Sequence, residues 1–382
     1  MGVSPHDADV VVVGAGPGGT AAACFLADAG AKVVLLDRKS FPREKPCGEG
    51  ILPPGVEVLE RLGVADRLRE AGAREFRGIR YHAPRGRTAI GAFPRGGTGL
   101  GARRMSLDAA LLEAALSRPG VRFDDSFSVR DVVRDAHGAI CGVTDGRRVV
   151  TAPLTIAADG THSAVRRAAG LDGRATQRNA VRMHFQPVIA PAADPYVDVY
   201  VGGATEAYVT PVAPGEFGVA YLVEGARPDA EGSGDSSAER SIRAALRSRG
   251  GIARILADAP AVSVPMAASG VGAIATSPIA DGLLLLGDAA GSPDPITGMG
   301  ISFALRCASL LPLALAGAFA SGDFSAAKLA PYARLRRREV AGGFAVTSGV
   351  LWLAARDARA EFAIRALDRA PALFTTLFRL AN

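Results

Sequence analysis

The chain has 382 residues, 48% hydrophobic and 21% charged, a composition that excludes wholesale disorder and a collagen-like fibre. The length predicts two to three domain-sized units whose cores need no disulfide or metal staple. The 44 basic and 38 acidic residues leave a scattered net charge of +6 with no aromatic-interleaved basic motif, so nucleic acid is not an expected partner.

Cys24, Cys47, Cys141 and Cys307 show neither C-x-x-C nor paired metal-ligand spacing. Met1 to Asp9 carries no basic or apolar leader, and together these features predict a reducing, cytoplasmic setting. Val10 to Val13 is an apolar run of strand length closed by glycines. Gly16 to Gly30 has helical spacing with a glycine stop, and Val33 to Leu36 is a second buried strand. Residues 41–55 are too rich in Pro and Gly for a regular element. Val56 to Glu70 reads as one amphipathic helix, and Met105 to Leu116 as another, ended by Pro119-Gly120. Val121 to Val150 reads as three short strands with turns at His137-Gly138 and Asp145-Gly146, and Leu154 to Ala158 as a further buried strand.

From about 175 to 225 the pattern changes. Val181–Phe185, Tyr196–Val201, Ala207–Val212 and Phe217–Val223 predict a second, antiparallel β domain. Residues 226–240 read as a mobile loop, Ser241 to Leu256 as a helix, and Leu283 to Leu286 as a strand returning to the first domain. From Ile301 the chain reads as mostly helical. The charge-free stretches Cys307 to Gly322 and Val340 to Ala355 are shorter than the roughly 20 residues that span a bilayer, and read as buried helices. The expected fold is α/β: a discontinuous Rossmann-like domain (1–175 and 271–325), an inserted antiparallel β-sheet substrate domain (176–270), and a helical C-terminal region (326–382).

Gly14-Ala15-Gly16-Pro17-Gly18-Gly19 follows a strand and opens a helix. Gly14 suits the tight turn, Gly16 lets backbone approach a pyrophosphate, and Gly19 permits close helix–strand packing. Phosphate there meets free N–H groups and the positive end of the helix dipole. Asp37 ends the second strand at the spacing of a ribose acceptor and disfavours a 2′-phosphate; Arg38 follows it as a further cofactor contact.

Two more segments repeat the strand-then-loop pattern. They are Asp159-Gly160-Thr161-His162-Ser163-Ala164-Val165-Arg166, and Leu283 to Gly291 with Gly287-Asp288, followed by Pro295 and Gly298-Met299-Gly300. With these three motifs in order, the sequence resembles the FAD-dependent oxidoreductases of the p-hydroxybenzoate hydroxylase fold from residue 9 to about 320. The resemblance implies that Gly14, Gly16, Gly19 and Asp37 hold the ADP half of FAD. It makes Arg104 a cofactor contact, places Asp159-Gly160 near the pyrophosphate, and puts Asp288 on the ribityl chain. The helix from Gly298 would aim N–H groups at the flavin N1–C2=O edge. Asp159 and Asp288 also suit plain helix capping.

Phe41-Pro42-Arg43-Glu44-Lys45-Pro46-Cys47-Gly48-Glu49-Gly50 is similar to the Cys-Gly loop of the geranylgeranyl reductase group, which lies beside the flavin. Cys47 is then either a thiol near the flavin, activated by Lys45 and Arg43, or an inert small residue of a tight loop. The halogenase Trp-x-Trp-x-Ile-Pro motif is absent, since Trp352 is the only tryptophan. The reductases' Tyr-x-Trp-x-Phe-Pro motif appears degraded as Glu206-Ala-Tyr208-Val-Thr210-Pro211, leaving Tyr208 and Thr210 as substrate-pocket candidates. His162, His184 and Tyr221 are candidate acid/base or phenol-binding groups. Phe344 to Leu380 is apolar on one face, with Arg356, Arg359, Arg365 and Arg369 on the other; it suits core packing, a cavity cap, a subunit contact or a peripheral membrane contact.

The resemblance implies a flavin monooxygenase that oxygenates a lipophilic or aromatic small molecule with O2, through a C4a-hydroperoxide. The electrons come from NAD(P)H docking transiently or from a partner reductase. Saturation of isolated C=C bonds is the alternative, and a non-catalytic flavoprotein that binds a partner is the third reading.

Overall fold

The computed structural model describes residues 6–175, 178–189, 195–203, 205–225, 237–292 and 294–381. Residues 226–236 of the expected loop lie outside them, and residues 237–240 begin a helix, Ser237–Arg247.

The first domain is a six-stranded sheet. Its order is Ile279–Ala280, Leu283–Leu285, Leu154–Ala157, β1 (Val10–Val13), β2 (Val33–Leu36) and Val121–Asp124. All pairings are parallel except that of the first two strands. The strands are apolar on both faces because both faces are covered. Val10, Val12, Val33 and Leu35 pack on helices, including α1 (Pro17–Asp28). Val11, Val13, Val34 and Leu36 pack on a small antiparallel sheet built from Asp131–Arg134, Ile140–Thr144 and Val149–Thr151. Val121 to Val150 therefore holds four strands rather than three, the first of them in the nucleotide sheet.

The second sheet has seven strands, in the order Met266–Ser269, Arg178–Phe185, Glu216–Glu224, Thr205–Ala213, Tyr196–Gly202, Gly78–His82 and Thr88–Ala92. Its last two strands come from before residue 175, and Gly78–His82 pairs parallel to Tyr196–Gly202, an addition that the local sequence pattern does not announce. Alternation divides the sheet into two chemically distinct faces. Val181, Met183, Phe185, Ala207, Val209 and Val219 bury against the Ser237–Arg247 and Ile252–Ala257 helices. The single helix expected over Ser241 to Leu256 is thus two, broken at Gly250-Gly251. The helix expected over Val56 to Glu70 is likewise two, Pro53–Arg61 and Ala65–Glu70, parted at Gly63 with φ +71°.

Gly300–Ser321 is long and apolar enough to cross a membrane by length and composition, although only 44% of its most apolar window is buried. It is two consecutive helices that pack on α1 and on Pro53–Arg61. The C-terminal region is Ala326–Ala354, Asp357–Arg369 and Pro371–Ala381, the last two lying against the Thr88–Ala92 strand.

Candidate functional site

The glycine loop joins β1 to α1. Gly14 has φ +102°, and a Cβ there would lie 2.5 Å from the Ala158 carbonyl oxygen. At Gly19 a Cβ would lie 1.9 Å from the Gly14 oxygen. At Gly16 a Cβ would meet only guanidinium nitrogens, of Arg43 at 3.7 Å and Arg104 at 3.9 Å. α1 has no side-chain cap on its first amides. Asp37 is buried at the end of β2, where its carboxylate accepts the Ala15 N–H at 2.8 Å and the Lys39 N–H at 2.9 Å. Arg38 is exposed beside it.

Three cations converge on this loop. Arg104 opens the Arg104–Leu116 helix and grips Asp108 one turn later through Nε at 2.9 Å and Nη2 at 2.8 Å. Arg43 reaches Asp108 at 3.2 Å and Asp37 at 3.5 Å. Lys45 lies over Gly160, whose own Cβ would sit 3.1 Å from its Nζ. Burial, and then the Arg104 and Arg43 charges, push the Lys45 pKa down, with Asp288 and Asp108 opposing. Burial disfavours the Arg104 charge too, but Asp108 and Cys47 outweigh it and hold that group above its ordinary range.

Asp159 Oδ2 accepts the Ala164 and Val165 N–H groups at 2.8 and 3.3 Å, so it does cap a helix start. Its Oδ1 is buried with no hydrogen-bond partner among the described residues, and burial raises its pKa. Asp288 sits in the Gly287–Ala289 turn, 3.4 Å from the Thr161 hydroxyl. Gly287 and Gly298 have φ +58° and +66°, and Gly300 opens its helix 4.0 Å from Asp288 Oδ1, measured from a built Cβ. Met299 caps that helix and is buried. Pro295 begins a short turn capped by Asp294.

Contacts thus link the glycine loop to Arg104 and to the Ala158-Asp159 turn, and link Asp288 to Thr161 and to the start of the Gly300 helix. An open glycine cradle, uncapped helix amides and crowded cations suit a dianionic pyrophosphate, and the orphaned Asp159 oxygen is an acceptor for a hydroxyl of the ribityl arm. The residues present fit FAD.

A family model described as "FAD binding domain" matches residues 7–344. The chain belongs to this family of FAD-dependent oxidoreductases. It is 30% identical to a menaquinone reductase of Mycolicibacterium smegmatis over 79% of this chain and 75% of that protein. It is 31% identical to a digeranylgeranylglycerophospholipid reductase of Methanothrix thermoacetophila over 87% and 83%. A 6-methylpretetramide 4-monooxygenase of Streptomyces rimosus is 33% identical over 43% of this chain and 41% of that protein. The structure of the flavin-dependent brominase Bmp2 superposes with TM-score 0.81 at 18% identity, covering 98% of this chain and 93% of that one, which shows the shared fold.

One face of the second sheet carries polar side chains that meet the Pro295 turn and the loop over residues 41–50. Tyr208 donates to Glu206 Oε2 at 3.2 Å and lies 3.1 Å from the Pro295 carbonyl oxygen. Arg178 holds Glu206 at 3.0 Å and pairs with Asp294 at 3.3 Å, while its Nη2 is buried without a hydrogen-bond partner among the described residues. Burial, reinforced by Glu206 and Asp294, keeps the Tyr208 phenol well above its ordinary pKa. Burial likewise raises Glu206 and Asp294 against the opposing Arg178 charge. His184 is fully buried, 2.6 Å from Glu49 Oε2. Cys47 is half-buried, and its Sγ accepts the Glu49 N–H at 3.3 Å.

Two candidates fall elsewhere. Tyr221 points to the opposite, helix-covered face, because its strand position is odd relative to Ala220 and Leu222. His162 is exposed and contacts the Ser269 carbonyl. A cavity of about 480 Å³ lies away from these groups, lined by His82, Tyr200, Arg249 and Asp357 among others. Asp108, Glu49, Arg178 and Arg182 were not singled out from the sequence. The i,i+4 spacing of Arg104 and Asp108, and the period-two placement of Arg178, Arg182 and His184, are the signals that mark them.

Proposed function

We propose that this flavoprotein is an NAD(P)H-driven monooxygenase acting on a lipophilic molecule with a phenolic or enolic hydroxyl. The observation that carries the reading is the Arg178–Glu206–Tyr208–Asp294 cluster facing the Pro295 loop. A fully apolar tunnel has no use for four polar side chains at its flavin end, whereas a hydroxylated ring does.

FAD, when bound, supplies the two-electron redox chemistry and the activation of O2. The substrate C–H bond, O2, NAD(P)H and one proton become C–OH, water and NAD(P)+. Arg178 Nη2 donates to the substrate oxygen. Tyr208 stays protonated and, with substrate bound, turns its single hydrogen from Glu206 to that oxygen, which orients it and frees the Glu206 carboxylate. Glu206, whose carboxyl burial raises, takes up the proton that the substrate hydroxyl releases. The surrounding apolar strands exclude water.

The test is turnover under ¹⁸O2 with long-chain phenols. One labelled oxygen per product supports the reading. Tyr208→Phe should retain FAD and NAD(P)H oxidation while product falls about a hundredfold, the electrons escaping as hydrogen peroxide. A product two mass units heavier, formed without O2, would sink it.

That second outcome is the reductase reading, favoured by the Cys47-Gly48-Glu49-Gly50 loop and by the two reductase relatives. Under it, prenyl substrates are saturated anaerobically, and Cys47→Ala abolishes the reaction while leaving FAD bound.

A further inference from the structure

The loop over residues 41–50 lies between the two sheets and is tied to the second one by side chains from non-adjacent strands. Thr210 donates its hydroxyl to the Gly48 carbonyl at 2.8 Å. Arg182 Nη2 bonds Glu44 and approaches the Lys45 carbonyl at 3.3 Å. His184 Nε2 meets Glu49 Oε2 at 2.6 Å. Glu49 in turn accepts the Arg104 N–H at 3.0 Å through Oε1, and its carbonyl accepts the Ala102 N–H at 3.1 Å. Glu49 has φ +61°, a left-handed conformation that side-chain-bearing residues disfavour, so these bonds must hold it there.

The tautomer of His184 follows from its neighbours. Arg182 Nη1 stands 3.0 Å from His184 Nδ1, and a guanidinium can only donate. Ser263 Oγ, also 3.0 Å from Nδ1, accepts the His184 backbone N–H at 2.9 Å. Nδ1 is therefore the acceptor, and the ring proton is on Nε2, aimed at Glu49. A ring with its proton on Nδ1 would face the guanidinium hydrogens and lose the Glu49 bond. Glu44, Lys45, Arg103 and Arg104 are the other charged groups around this cluster.

We infer that Arg182 and His184 form a latch in which Arg182 fixes the His184 tautomer, His184 holds Glu49, and Glu49 sets the Cys47-Gly48 backbone against the start of the Arg104–Leu116 helix. These are positioning residues, and the latch serves oxygenation and reduction equally, so it does not depend on the proposed reaction.

The test measures alkylation of each cysteine by iodoacetamide in the FAD-loaded protein, read by peptide mass mapping. Cys24 and Cys307 are buried in the core and report global opening, whereas half-buried Cys47 reports the loop. His184→Leu should raise Cys47 alkylation at least tenfold with Cys24 and Cys307 unchanged. His184→Gln, which can accept from Arg182 and donate to Glu49, should restore the wild-type rate. Glu49→Gln is the second variant should His184→Leu not fold, with the same expected rise at Cys47. An unchanged Cys47 rate in the variant that folds overturns the latch. So does an equal rise at all three cysteines, which would mean a merely structural role, and so does a glutamine variant no better than leucine.

Discussion

Arg104 and Asp108, one helical turn apart, share two hydrogen bonds of 2.9 and 2.8 Å with almost no solvent contact, their side chains being 5% and 0% exposed. The pair does more than pin a helix. Asp108 also neutralises Arg43, so one carboxylate balances two guanidiniums at the mouth of the glycine loop. Breaking a buried pair by removing one partner costs about 3–5 kcal/mol, because the survivor keeps its charge without compensation. Asp108→Ala should therefore lower the melting temperature of the apoprotein sharply. Added FAD should recover part of that loss, since its pyrophosphate gives both arginines an anion. Thermal denaturation with and without FAD measures both effects; a variant as stable as wild type without FAD contradicts the account.

The glycines of the loop separate folding from binding. At Gly14 a methyl would collide with backbone at a positive φ, so Gly14→Ala should be poorly folded and colourless. At Gly16 the same methyl faces only the flexible ends of Arg43 and Arg104. Gly16→Ala should fold normally yet bind FAD at least tenfold more weakly, because the methyl occupies the path of the pyrophosphate. Circular dichroism and flavin fluorescence titration distinguish the two. Equal FAD affinity in Gly16→Ala would remove the pyrophosphate from this loop.

The cofactor half of the site is legible because its constraints are local. Gly14, Gly16, Gly19 and Asp37 lie within one strand–helix–strand unit, and Asp288 follows its strand directly. The latch and the polar cluster are not, because they are long-range. Glu49 meets His184 across 135 positions and Glu44 meets Arg182 across 138. A carboxylate in a Pro/Gly loop carries no mark of the strand that will face it. The same holds for Gly78–His82, where the sequence predicts no element and carries no mark of the parallel partner Tyr196–Gly202. Helix breaks at Gly63 and Gly250-Gly251 were hidden by apolar spacing that continues across them.

Lys45 makes FAD binding depend on pH. In the apoprotein its pKa is pushed below the ordinary 10.5 by burial and by the neighbouring Arg104 and Arg43. A pyrophosphate beside it favours the ammonium form and raises the pKa again. Binding thus takes up a proton where the pH lies between the depressed apoprotein pKa and the raised pKa of the complex. FAD affinity should be flat below that value and fall as pH rises through it toward 10.5. Calorimetric titration in buffers of different ionisation enthalpy should show proton uptake on the alkaline side. Lys45→Met should abolish that uptake and flatten the profile, whereas an unchanged profile in the variant would assign the proton to another group.

Two glycines of the long Ala326–Ala354 helix offer a test of how the C-terminal helix docks. Glycine in a helix interior costs about 1 kcal/mol relative to alanine, so replacement should stabilise where space allows. Gly349 has nothing within 4 Å of a built Cβ, and Gly349→Ala should raise the melting temperature. Gly342 supports the Pro371–Ala381 helix so closely that a Cβ would lie 1.7 Å from the Leu380 carbonyl oxygen. That helix carries Phe374, packed against Gly91 and near Tyr81 at a ring distance of 6.4 Å, and Phe378, 4.8 Å from Phe93. Displacing it uncovers the Thr88–Ala92 edge of the second sheet, and a buried phenylalanine is worth about 1.5–3 kcal/mol. Gly342→Ala should therefore lower the melting temperature despite its better helix propensity. Opposite signs at two glycines of one helix can arise only from the docked C-terminus. A Gly342→Ala protein stabilised like Gly349→Ala would show that the Pro371–Ala381 helix is not seated there in solution.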